Sequence, residues 1–215
     1  MKMLMSVAAL AGTIALASDA EAATYTNSLN ITVPGSDTDG PADPFPSTID
    51  VTESGLIIGL TVDIFGLSHT YPDDVFLGLA SPDGTTVILM NDALGENGIV
   101  NVDLTFDDAA SSAIPNTGTI VSGTYSTGSY GPLPGNLPAD IPTFTAGGDL
   151  SDFVGLEANG TWSLFVLDDH IFDTGSISGG WALNIEVAPV PLPAGILLLL
   201  AGLGSLGLLS RRRRS

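Results

Sequence analysis

Positive charge is confined to the two ends of this 215-residue chain. Lys2 stands near the start, Arg211, Arg212, Arg213 and Arg214 stand near the end, and no Lys or Arg lies between them. Of the 24 acidic residues only Asp19 and Glu21 precede residue 23, which leaves 22 on a stretch with no internal cation. Such a stretch has no Lys or Arg salt bridges to draw on, and its carboxylates repel one another. The chain has no cysteine, so no disulfide can staple it. Divalent ions, high external salt or wide spacing of the acids must offset that repulsion. The same balance excludes nucleic-acid binding, since nothing would neutralise phosphates. It also disfavours docking to an anionic lipid surface. Calcium binds carboxylate and carbonyl oxygens and is the natural substitute for the missing staples.

Both ends read as export signals. Residues 1–22 have the form of a secretory signal peptide: Lys2, then an apolar stretch over 4–17, then Ala20-Glu21-Ala22 as an A-x-A cleavage site. Residues 192–209 are uncharged over 18 positions. As a helix they would span about 27 Å, near the ~30 Å hydrocarbon core of a bilayer. Arg211–Arg214 would stay in the cytoplasm, which puts the body of the protein outside. A buried core helix would show a polar face, and this run has none. Val190-Pro191-Leu192-Pro193-Ala194, the apolar run and the arginine cluster together resemble the VPLPA-type variant of the PEP-CTERM sorting signal of Gram-negative bacteria. That resemblance implies processing by an exosortase-like membrane enzyme and delivery to the outer surface. A plain single-span anchor is the reading that needs no such enzyme. The expected organisation is a signal peptide (1–22), a folded body (23–189) and a sorting tail with a transmembrane helix (190–215).

The body reads as β structure. Val100, Val102, Leu104 and Phe106 alternate with Asn101, Asp103 and Thr105, and Trp181, Leu183, Ile185 and Val187 alternate with Ala182, Asn184 and Glu186. Period-two alternation marks strands with one buried face. Segments 56–65, 75–80, 86–90 and 162–167 are further apolar runs of strand length, punctuated by turn signals such as Ser81-Pro82-Asp83-Gly84 and Ala158-Asn159-Gly160. The expected fold class is all-β, an antiparallel sandwich or barrel. Residues 109–148, rich in Ser, Gly, Thr and Pro, are expected to form a long surface excursion with one short strand over 118–125.

A second resemblance rests on residues 150–185. Phe153 and Gly155, Gly160-Thr161-Trp162-Ser163-Leu164, Asp168, Asp173 and Gly175, and Trp181-Ala182-Leu183 are similar to the closing segment of the P domain (P/Homo B), which follows the catalytic domain of subtilisin-like proprotein convertases. His69-Thr70-Tyr71-Pro72-Asp73-Asp74-Val75, Leu79-Ala80-Ser81-Pro82-Asp83-Gly84-Thr85 and Leu104-Thr105-Phe106-Asp107-Asp108 resemble upstream elements of the same family. The resemblance spans roughly 26–187. It implies a jelly-roll sandwich of the galactose-binding-like type, a non-catalytic role beside a protease, and calcium sites. No protease domain precedes the module within this sequence, so the family role does not carry over whole.

The candidate chemistry is metal binding rather than catalysis. No serine lies in a nucleophile elbow, and there is no H-E-x-x-H, phosphate loop or cysteine nucleophile. No catalytic residue is assigned. Asp73 and Asp74 precede a strand, Asp107 and Asp108 follow one, and Asp168, Asp169 and Asp173 fall in the last long turn. In an antiparallel sheet the end of one strand lies beside the start of the next, so these three turns are expected to share a rim. Asp73, Asp74, Asp107, Asp108, Asp168 and Asp173 are the expected calcium ligands; the competing reading is solvated turn aspartates. Asp37, Asp39 and Asp43 are expected in a solvated loop. Trp162 and Trp181 are expected in the core, and Tyr125, Tyr130 and Phe144 on an exposed binding surface.

The function these features imply is an exported, surface-displayed, non-catalytic module whose partner is a surface protein or polysaccharide. Service to a secreted subtilisin-like protease and glycan binding are the alternatives. One outcome follows from composition alone: trypsin acting on the denatured full chain should cut only at its two ends. A tryptic fragment with a terminus inside 23–189 would contradict the sequence reading.

Overall fold

The computed structural model describes residues 22–34, 37–93, 95–118 and 120–189. Residues 1–21 of the expected signal peptide, the motif Val190–Ala194 and the cluster Arg211–Arg214 lie outside the described residues. Ala22 already belongs to the first strand. Among the described residues no helix is long and apolar enough to cross a membrane.

The strands of the described residues run in chain order: β1 (Ala22–Asn27), β2 (Ile31–Val33), β3 (Gly40–Pro41), β4 (Ser47–Val51), β5 (Ile57–His69), β6 (Val75–Ala80) and β7 (Thr86–Asn91). Then come β8 (Ile99–Phe106), β9 (Gly123–Tyr125), β10 (Gly128–Ser129), β11 (Gly160–Asp168), β12 (Gly175–Ile177) and β13 (Trp181–Val187). Short 3₁₀ turns at Pro72–Asp74 and Leu150–Phe153 are the helical elements among the described residues. One sheet runs β1-β13-β5-β12-β2, with β8 also on β5 and β9 on β8; the other runs β10-β7-β6-β11-β3, with β4 also on β11.

The period-two pattern sets the register. In β5, Leu60, Val62 and Ile64 point into the core while Thr61 and Asp63 stay half-exposed. Across the core stand Val75, Leu77 and Leu79 of β6 and Trp162, Leu164 and Val166 of β11. Both tryptophans are fully buried (0 % exposed). Each indole N–H is satisfied: Trp162 Nε1 donates to the Ala158 carbonyl at 3.0 Å and Trp181 Nε1 to Ser47 Oγ at 2.9 Å. The second bond ties β13 of one sheet to β4 of the other.

Two expectations are corrected. The sheets are mixed rather than wholly antiparallel, because β9 pairs β8 and β10 pairs β7 in parallel. Both parallel strands come from the 109–148 excursion. Residues 107–122 give β9 the long crossover that a parallel pairing requires. The excursion is also no loose surface loop. All six residues of β6 are buried because its outer face is covered as well. Phe76, Ile88, Phe165 and Leu167 form a second cluster there with Phe144, flanked by Phe45, Leu133, Leu137 and Ile141. Phe144 is 3 % exposed and meets Phe76 and Phe165 edge-on at 5.2 and 5.5 Å between ring centres. It anchors the excursion instead of displaying a binding surface, because the outer face of β6 and β11 is itself apolar. Of its expected companions, Tyr125 is half-buried and Tyr130 is 43 % exposed.

Phe144→Ala should therefore cost about 3 kcal/mol, the usual loss for a buried Phe, and loosen the excursion. Denaturant unfolding and limited proteolysis by thermolysin check it; unchanged stability with no new cleavage within 126–148 would contradict this packing.

Candidate functional site

Chain direction decides which acids meet. β6 starts, β7 ends and β11 ends at the same edge, since Asp168 pairs Val75 and Leu77 pairs Met90. β5 ends and β12 starts there too, with His69 opposite Gly175. The turns at this rim carry Asp73 and Asp74, then Asp92, then Asp168, Asp169 and Asp173. The backbone stitches them together: Asp169 N–H donates to the Asp74 carbonyl at 3.0 Å, and Thr70 N–H to the Thr174 carbonyl at 3.1 Å. Thr70 Oγ1 donates to Asp173 Oδ1 at 2.7 Å.

Asp107 and Asp108 do not join them, which corrects the expectation of one shared rim. β8 runs antiparallel to β5, with Ile99 opposite His69 and Phe106 opposite Val62. The end of β8 therefore lies at the far rim, roughly 25 Å along β5 at ~3.3 Å per residue. There Asp108 accepts backbone N–H bonds from Leu150 and Ser151 at 3.0 and 2.7 Å, and Asp107 accepts from Ala109 N–H at 2.8 Å. Asp108 serves the start of the second 3₁₀ turn, where free backbone N–H groups need acceptors.

Asp168 sits deepest at the acidic rim and is fully buried. Its Oδ2 lies 3.2 Å from His69 Nε2, and its Oδ1 accepts from His170 N–H at 3.0 Å. His69 is also buried, and its Nδ1 faces the backbone of Tyr71, 2.8 Å from the carbonyl. A Cβ at Gly175 would overlap the His69 ring, so only glycine lets β12 pass this close.

The outer carboxylates pay for their crowding in acidity. Burial, then the carboxylates of Asp169 and Asp168, push the Asp74 carboxyl up to about 6. Burial, then the carboxylates of Asp92 and Asp168, do the same to Asp169, also to about 6. Burial and Asp73 raise Asp92 as well. Sequence reasoning left Asp92 out, although the rule that grouped the other turns applies equally to β6 and β7. It also missed Asn136, which arrives from the excursion. Asn136 Nδ2 donates to Asp39 Oδ2 at 2.9 Å and to the Asp168 carbonyl at 3.1 Å. Those two acceptors fix the amide orientation. Its Oδ1 is buried and has no hydrogen-bond partner among the described residues. No motif in the sequence marks Asn136; only the fold brings it here.

No protein-family model and no curated protein matches the chain. Two solved structures do: the serine protease of Aeromonas sobria, and the same protease in complex with its chaperone. Each aligns at 14 % identity with a TM-score of 0.36, covering 80 % of this chain and 27 % of that one. The chain thus spans about a quarter of the length of the structures it matches.

The acidic rim has a pH signature of defined sign. Asp74 and Asp169 titrate at about 6 in the fold, against 3.8 for the free group. Between those values the folded chain holds more protons than the unfolded chain, so their contribution falls as pH rises through the window. Without divalent ions, the melting temperature of the Asp74→Asn/Asp169→Asn variant should gain on that of the parent between about pH 4 and pH 7. A constant difference across that range would contradict the assignment.

Proposed function

We propose that this chain is an exported, non-catalytic, P-domain-like β-sandwich module. Calcium clasps its acidic rim, and its tail delivers it to the cell surface. One observation carries the calcium reading: Asp74 and Asp169 are partly buried at one strand edge, and each feels the charge of Asp168 beside it. Carboxylate and amide oxygens are the donor set of a hard cation, and calcium takes 6–8 of them. A bound divalent ion would offset the burial and the carboxylate repulsion that raise Asp74 and Asp169. The oxygens of Asp73 and Asp173 flank the cluster; Asp107 and Asp108 are not part of it.

The non-catalytic reading is supported by His69. Asp168 and the Tyr71 backbone occupy both of its ring nitrogens, which leaves none to activate a serine. Display through an exosortase-like enzyme, and a surface protein or polysaccharide as partner, follow from the tail resemblance and the export signals.

Calcium should raise the melting temperature of the full chain near neutral pH well beyond what matched ionic strength does. A ligand at 100 times its Kd adds about 2.7 kcal/mol. Asp169→Asn should weaken that response. Equal melting curves in calcium and in chelator at matched salt would end this reading.

A further inference from the structure

On the outer flank of the acidic rim, three side chains make a set of different chemistry. One carboxylate oxygen each from Asp74 and Asp173 and a ring nitrogen of His170 lie within 4.8 Å of one another. They surround an open hollow that Tyr71, Ile171 and Phe172 complete. We propose that Asp74, His170 and Asp173 form a second metal site, selective for a first-row transition ion of the zinc type and sharing Asp74 with the calcium cluster beside it.

The imidazole decides the class of ion. Calcium takes oxygen ligands, whereas zinc takes imidazole nitrogen at about 2.0–2.1 Å and carboxylate oxygen at about 2.0–2.2 Å. Three protein ligands with an open fourth position is a familiar zinc arrangement. His170 has the outer-shell feature of a metal-binding histidine. Its Nδ1 lies 2.8 Å from the Ile171 carbonyl, so in the neutral ring the Nδ1–H is donated there and Nε2 carries the lone pair. Asp173 is held in turn by Thr70 Oγ1, and the Asp74 backbone is held by Asp169 N–H. The side chains of His170 and Asp173 are thus oriented by groups outside the set.

Ligands on one zinc ion stand about 3–4 Å apart, so closing the set asks for small side-chain rotations. His170 is exposed and can make one. Four arginines and a lysine at the chain ends supply no competing ligand. His69, the other histidine, has both ring nitrogens engaged.

The inference goes beyond the calcium reading and does not need it. The experiment titrates the full-length chain in detergent with zinc chloride, with cobalt(II) as a spectroscopic probe. One zinc per chain is expected, with cobalt d–d bands of a nitrogen-containing site and loss of the free His170 ring signal by NMR. His170→Ala should weaken zinc binding at least about tenfold while leaving the calcium-induced melting shift intact. Asp92→Asn, outside the set, should do the reverse. Zinc binding that survives His170→Ala unchanged, or no saturable zinc binding to the parent chain, overturns the proposal. A missing calcium shift with zinc binding preserved would remove the calcium reading alone.

Discussion

Like charges brought together without a counter-charge are the constraint on which this structure turns. Asp74, Asp92, Asp168 and Asp169 cannot avoid one another. They sit on turns at one edge of paired strands, and the pairing of β6 with β7 and β11 fixes where those turns go. A sequence with lysines nearby could neutralise the rim from within; residues 23–189 have none. Burial and this repulsion together show as two carboxyls raised to about 6. The strands that impose it are among the most buried in the molecule, so the rim cannot relax by fraying without exposing Val75, Phe76 and Leu167. Core packing and rim electrostatics therefore pull against each other along the same strands.

Burial has to win that contest without covalent help. The two sheets close over Trp162 and Trp181, and the Trp181–Ser47 bond satisfies an indole N–H that would be costly to leave unpaired in the core. The second apolar cluster extends the buried volume to the outside of β6 and β11. The 109–148 excursion, poor in large apolar residues, contributes Leu133, Leu137, Ile141 and Phe144 where they count. These few side chains turn a half-exposed sheet face into a second core. They also carry Asn136 to the acidic rim, so the excursion is part of the site as well as of the fold.

What was legible in the sequence follows the range of the interactions. Alternation is local, and it located β8 and β13 from Val100–Phe106 and Trp181–Val187, but it put Val100 on the wrong face, because β8 slips register there and buries Ile99 instead, and it missed that Ala182 is buried too. It also placed both tryptophans in the core. The acidic turns were legible as turns, but grouping them needed strand direction. Asp107 and Asp108 went to the wrong rim in the sequence reading because β8 returns along β5 instead of ending beside His69. Asp92 belonged with Asp73 by the pairing of β6 with β7, a neighbour relation that apolar runs do not announce. Phe144 and Asn136 were illegible for a stronger reason. Their places depend on how a long Ser/Gly/Pro-rich segment folds back on a sheet, and no local pattern encodes that.

The rim also separates two kinds of donor by depth. Inside, Asp168 and Asn136 present oxygen in places the fold has already fixed: the first is fully buried against His69 and the His170 N–H, and the second is held through its amide nitrogen. Outside, His170 offers nitrogen from an exposed loop whose tip, Phe172, is 69 % exposed. Asp74 stands between the two groups. Burial and the carboxylates behind it raise its pKa, and the imidazole in front of it acts in the opposite direction. A cation on either side would lower it. Because one carboxylate faces both neighbourhoods, a charge placed in one changes the electrostatic cost of the other, and the two proposed sites would be coupled through Asp74 by Coulomb's law alone.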